Sequence, residues 1–93
     1  MKILYFAWVR EAVGKPEEDL NLPEGVASVS DLVAWLKQQD TGYETAFANN
    51  AAVRVAVNQE YVDFDHGVSN GDEIAFSYNI LSLRNTIPIT ISE

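Results

Sequence analysis

At 93 residues, with 14 acidic and 6 basic side chains and a net charge of −8, the chain has room for one hydrophobic core and not for two. That charge repels nucleic-acid phosphate and anionic membrane surfaces and favours a partner with a basic face. Cysteine is absent, which excludes disulfides, thiolate metal sites, thiol nucleophiles and side-chain persulfides.

Lys2 to Val9 is rich in aliphatic and aromatic residues and reads as the first strand. Alternation puts Ile3, Tyr5, Ala7 and Val9 on one face and Leu4, Phe6 and Trp8 on the other. The segment is too short for a signal-peptide core with its flanks, and no apolar run approaches the roughly 20 residues that span a bilayer. A soluble, cytoplasmic protein is expected. Gly14-Lys15-Pro16 marks a turn, and Glu17 to Leu22 a second, more polar strand with Leu20 and Leu22 on one face, so that the two strands form an opening hairpin. Pro23-Glu24-Gly25 ends it.

Ser28, with Asp31 three residues on, is a shorter-armed capping box ahead of the apolar spacing Val29, Leu32, Val33, Leu36. The spacing predicts the main helix over Val29 to Gln39, with Trp35 at the edge of its stripe and Thr41-Gly42 stopping it. A weaker helical piece covers Tyr43 to Ala48, and Asn49-Asn50 is loop-like. Val53 to Val57 is a strand with Val53, Val55 and Val57 on one face, and Asn58-Gln59 is a tight connection into Tyr61-Val62. After the polar stretch Asp63 to Ser69, Asn70-Gly71 is a tight-turn signal, since both residues tolerate positive φ, and it delivers the final core strand Glu73 to Phe76.

The order β-β-α-β-β-β, with its one strong helix in the middle, describes an α+β domain in which that helix lies across a mixed sheet of four to five strands. This is the β-grasp, ubiquitin-like arrangement, although periodicity alone allows other α+β folds of this size. Leu32, Val33 and Leu36 are expected to pack against Ile3, Tyr5 and Val55. His66, the lone histidine, has a structural or solvated role. Asp72-Glu73 resembles a carboxylate pair, but adjacent strand residues point to opposite faces, which makes it a solvated turn edge. Arg10-Glu11 reads either as a solvated pair at a turn or as a partner contact. Arg54 is a partner-contact candidate on its charge alone.

Four segments in this order and spacing resemble the MoaD family, the small subunits of molybdopterin synthase, also called molybdopterin converting factor subunit 1. They are Met1-Lys2-Ile3-Leu4-Tyr5-Phe6-Ala7-Trp8-Val9-Arg10-Glu11-Ala12-Val13-Gly14, Val29 to Leu36, Ala56-Val57-Asn58-Gln59-Glu60-Tyr61-Val62 and Gly71-Asp72-Glu73-Ile74-Ala75-Phe76. The resemblance covers residues 1–76 and implies a β-grasp sulfur carrier without catalytic side chains or a bound cofactor. It implies two partners: an adenylating, E1-like activating enzyme that uses ATP on the carrier's terminal carboxylate, and the large synthase subunit. A sulfur donor turns the adenylate into a thiocarboxylate, whose sulfur the large subunit builds into the dithiolene of molybdopterin. It also implies a partner interface at Phe6, Arg10, Tyr61 and Phe76, exposed aromatics being typical anchors, with core packing as the alternative. Ser77 stands where the family usually has a second aromatic.

In that family the chain ends a few residues past the position of Phe76 with Gly-Gly, two residues slim enough to thread a narrow channel to the nucleotide. Here residues 77–93 follow instead, glycine-free and carrying only Arg84 and Glu93, whereas residues 1–76 hold five basic and thirteen acidic side chains, the whole net charge. The expected organisation is therefore a ubiquitin-like domain over 1–76 and an atypical extension over 77–93. A shifted reading frame, a divergent carrier and a trimmed precursor are each compatible with it, trimming least so because no internal Gly-Gly exists to be exposed. With Glu93 as acceptor in place of glycine, this form is expected to be a poor substrate for thiocarboxylation. The β-prone run Thr86-Ile87-Pro88-Ile89-Thr90-Ile91 is expected to pair with a sheet edge or another copy. That gives the alternative function, a ubiquitin-like binding module whose tail self-associates or caps its own sheet.

Overall fold

The computed structural model describes residues 1–78. In β1 (Lys2–Tyr5) the buried Ile3 and Tyr5 alternate with exposed Lys2 and half-buried Leu4. The strand stops there rather than at Val9. Phe6 is still extended, but Ala7 takes φ 53°, a left-handed conformation that costs an L-residue about 1–2 kcal/mol, and the chain turns into α1 (Ala7–Val13). Helical spacing had been present in Val9, Ala12 and Val13, at i, i+3 and i+4. Gly14 ends the helix at φ 93°, donating its N–H to the Arg10 carbonyl at 2.8 Å. The opening hairpin is thus a strand–helix–strand unit. β2 (Glu17–Asp19), shorter than expected, pairs antiparallel with β1 across that helix.

The main helix, α2 (Val29–Lys37), starts as the sequence predicts: Ser28 Oγ accepts from the Asp31 N–H at 3.1 Å. The Asp31 carboxylate accepts from the Ala27 N–H at 3.1 Å, one residue earlier than the reciprocal bond of a capping box. Val29, Leu32, Val33 and Leu36 are all buried. Thr41-Gly42 does not simply stop this helix but begins α3 (Thr41–Ala46), because the Asp40 side chain accepts from the Gly42 N–H and caps a new one. The weaker helix accordingly runs two residues ahead of the expected Tyr43 to Ala48. A 3-10 turn (Asn50–Ala52) follows.

β3 (Val53–Val57) and β4 (Glu60–Val62) form the tight hairpin expected at Asn58-Gln59, whose two residues take φ 52° and 72°, the left-handed pair of a type I′ turn. At Asn70-Gly71 the turn is real but its geometry is not the one expected, since neither residue has positive φ. It is closed by the Asp72 N–H donating to the Ser69 carbonyl at 3.0 Å and by the Asp72 carboxylate accepting from the Ser69 N–H at 2.9 Å. β5 (Glu73–Tyr78) then runs two residues past the boundary expected at Phe76, so Ser77 and Tyr78 belong to the sheet.

The sheet order is β2-β1-β5-β3-β4, with β1 and β5 parallel and the other pairs antiparallel. This is the expected β-grasp, at the five-stranded end of the four to five strands foreseen, with three α-helices among the described residues where one strong and one weaker helix were foreseen. Helix residues and one face of the sheet share a single core, in which Ile3, Tyr5, Leu32, Leu36, Phe47, Val55, Ile74 and Phe76 are essentially inaccessible. The expected contact of α2 with Ile3, Tyr5 and Val55 falls within it. Residues 79–93 lie outside the described residues, and with them the edge pairing expected of 86–91 and the acceptor expected at Glu93.

Candidate functional site

Among the described residues the opposite face of the sheet carries no helical layer, and strand register decides which residues occupy it. Leu4 pairs with Ala75, Ala75 with Ala56, and Ala56 with Tyr61, giving one row across β1, β5, β3 and β4. In the next row Ser77 pairs with Arg54. Phe6 joins that row: its N–H donates to the Phe76 carbonyl at 3.0 Å, carrying the parallel ladder one step beyond Tyr5, and alternation turns its side chain away from the core. Phe6 is 48% and Tyr61 65% exposed. Ala56, Ala75 and Ser77, all small, floor a shallow trough between Leu4 and Phe6 on one side and Arg54 and Tyr61 on the other. The second row is the last one among the described residues.

The sequence placed Leu4 and Phe6 on a common face, and they share the open one. It placed Trp8 there too, but Trp8 lies on α1 and stacks on Tyr78 at 5.0 Å between ring centroids. Arg10 is exposed on α1, one turn after Phe6, and donates its N–H to the Phe6 carbonyl. Phe76, expected at the interface, is a core residue with no exposed surface. It occupies an inward position of β5, stacked on Tyr5 at 6.3 Å and edge-on to Phe47 at 4.9 Å. Ala56 and Ala75 were not singled out from sequence, because only cross-strand register shows that their small side chains make a floor. Arg54 gains a neighbour its charge alone could not reveal: its guanidinium carbon lies 4.3 Å from the centroid of the Tyr61 ring.

The charged clusters elsewhere hold the fold together. Glu18 on β2 accepts from Tyr5 Oη at 2.6 Å, from Tyr43 Oη at 2.5 Å and from Lys15 Nζ at 3.3 Å, tying β2 and α3 to β1. Burial pushes the Glu18 carboxyl up, but the two hydroxyls and the ammonium outweigh it and hold it below its usual range. Burial, then Glu18 itself, pushes the Tyr5 hydroxyl well above its ordinary value. Asp72 is held low by the Asn58 amide at 3.0 Å and the Ser69 N–H, while the Glu73 N–H donates to Asn58 Oδ1 at 3.1 Å. The Asp72-Glu73 pair is therefore a turn brace. His66 contributes backbone bonds to Asp63 and Val29. Among the described residues no group of three His, Asp or Glu side chains is arranged to hold a metal ion, and no helix is long and apolar enough to cross a membrane. What this arrangement does chemically is present an apolar, partly cationic face beside the last described residues of β5.

Comparison with known proteins agrees with that architecture. The family model described as ThiS family matches residues 3–76. The molybdopterin synthase sulfur carrier subunit of Escherichia coli (strain K12) is 35% identical over 79 residues, spanning 82% of this chain and 90% of that protein. Among solved structures, molybdopterin converting factor, subunit 1 from Pyrococcus furiosus superposes with a TM-score of 0.64 at 34% identity, covering 81% of this chain and 91% of its own. SAMP1 from Haloferax volcanii, at 22% identity and a TM-score of 0.64 over 85% and 93% of the two chains, shares the fold.

Proposed function

This chain belongs to the ThiS family, and from that membership we propose that it is the sulfur-carrier small subunit of a molybdopterin synthase, non-catalytic by itself and working in the cytoplasm. The 35% identity to a protein named for that role, over nine-tenths of that protein's length, carries the reading. The open face supports it. A carrier's chemistry resides in its partners, and what it must supply is a surface they recognise beside the strand from which its terminal segment emerges.

The partners are the large synthase subunit and an adenylating activating enzyme that uses ATP. A carboxylate is a poor electrophile at neutral pH. Its oxygen must first attack a nucleotide phosphorus, releasing pyrophosphate and forming a mixed anhydride, from which a sulfur donor displaces AMP to leave a thiocarboxylate. Docking on the open face converts that attack into an effectively intramolecular event, which is where the domain contributes to rate.

Calorimetry with the large synthase subunit tests the docking. The chain is expected to bind, and Phe6→Ala combined with Tyr61→Ala to weaken binding by about tenfold or more, as for aromatic anchors at interface centres. No binding by the unsubstituted chain would refute the reading. Mass spectrometry after incubation with activating enzyme, ATP and a sulfur donor tests the chemistry. A variant in which a short proline-containing segment ending in Gly-Gly follows Tyr78 is expected to gain the mass of one oxygen-to-sulfur exchange, and the 93-residue polypeptide ending in Ser92-Glu93 is not.

A further inference from the structure

The chemistry of the open face is more specific than an apolar patch. Among the described residues two cations stand on it, Lys2 and Arg54, and they differ in their company. Lys2 has Glu17 at 3.9 Å, whereas Arg54 has no ion-pair partner among the described residues. Its cross-strand neighbour is the neutral Ser77. Asp63 lines the same shallow groove as Arg54 and Tyr61, yet its carboxylate does not come within ion-pairing distance, and the guanidinium lies over the Tyr61 ring instead. A guanidinium with one face on an aromatic ring keeps its edge donors free, in the planar fork that matches a carboxylate.

In the free chain this cation is hydrated and costs little. A partner that covers Phe6, Tyr61 and the alanine floor removes that water, and an unpaired cation left at such a contact is heavily destabilising. An all-apolar or basic covering surface is therefore a poor fit. The rest of the domain has the opposite sign, with exposed Glu17 and Asp19 on β2, cross-strand from Leu4 and Lys2, and exposed Asp63 just past β4 around the face. From this arrangement, and resting on the docking role proposed above, we infer that Arg54 is a specificity residue of the open face, and that the partner is a protein surface presenting a carboxylate inside an apolar patch with basic residues at its rim. One central cation within an acidic border then fixes the orientation of docking, because a rotated or mismatched partner juxtaposes like charges. The Tyr61 ring holds the fork in place beforehand, so little side-chain freedom is lost on binding.

The test is calorimetric titration of the large synthase subunit with the full chain and with Arg54→Gln, Arg54→Lys, Arg54→Glu and the Phe6→Ala, Tyr61→Ala double variant. Urea midpoints confirm that each is folded, Arg54 being exposed. Arg54→Gln is expected to weaken binding by at least about tenfold, Arg54→Glu by more, and Arg54→Lys by less than Gln because it keeps a point charge without the fork. If Arg54→Gln and Arg54→Glu bind as tightly as the unsubstituted chain while the double variant is weakened, the carboxylate inference is overturned and the docking face stands. If the double variant also binds normally, or the unsubstituted chain does not bind, both readings fall.

Discussion

In β5, Ile74 and Phe76 point into the helix-covered side of the sheet and are wholly buried, while Ala75 and Ser77, each one residue away, lie on the open side opposite Ala56 and Arg54. Two phenylalanines make the same contrast. Phe76 sits among Tyr5 and Phe47 with no accessible surface, and Phe6, bonded through its backbone to Phe76, is half exposed. The covered side is filled by large side chains packed on three helices, whereas the open side has a floor of small ones between two exposed aromatics. A period of two lets one set of strands carry a core and a recognition surface that differ in tolerance to change. Substitutions on the covered side should act on stability, and those on the open side on association.

Truncating the centre of the covered side is the most severe test of this difference. Phe76→Ala is expected to cost about 3–5 kcal/mol and Leu36→Ala about 2–5 kcal/mol in urea unfolding, as for other large core truncations. A Phe76→Ala protein as stable as the parent would mean that the two sides are not distinct. Overfilling should also be felt there. At Gly42 on α3 an added Cβ would lie 2.8 Å from the Ala12 carbonyl oxygen on α1, so Gly42→Ala should force the two helices apart at roughly 1–3 kcal/mol.

The Glu18 cluster extends the comparison to pH. Glu18→Gln removes a charged acceptor from two tyrosine hydroxyls and should cost about 1–3 kcal/mol at neutral pH. The folded carboxyl is held below its ordinary value of 4.5, so the stability it contributes is full above that value and is lost as pH falls through the lower, folded one. Urea midpoints followed into acid should therefore drop in the parent, and drop less in Glu18→Gln. The smallest effect belongs to the open side: Phe6→Ala with Tyr61→Ala should shift stability by no more than roughly 0.5 kcal/mol per site, whatever it does to docking. A loss comparable to that of Phe76→Ala would show that the open face is part of the core.

Much of this was legible in the sequence because it follows from local rules. The Ser28 cap, the stripe Val29, Leu32, Val33, Leu36, the alternation of Val53, Val55 and Val57 and the Asn58-Gln59 turn each specify an element from a few neighbouring residues, and their order narrows the fold to a small α+β domain of which the β-grasp is one arrangement. Where the reading erred, a local signal had competition. Alternation over Lys2 to Val9 hid the helical spacing of Val9, Ala12 and Val13, and the chain switches between the two at Ala7 through a left-handed residue that no propensity favours. What only the tertiary structure decided is which aromatic faces which way. The parallel register of β1 with β5 sends Phe76 inward and Phe6 outward, and the pairing of Ala75 with both Leu4 and Ala56 creates the trough. Register is a relation between segments some seventy residues apart in the chain, so it follows from the joint burial of several faces and leaves no mark in any one of them.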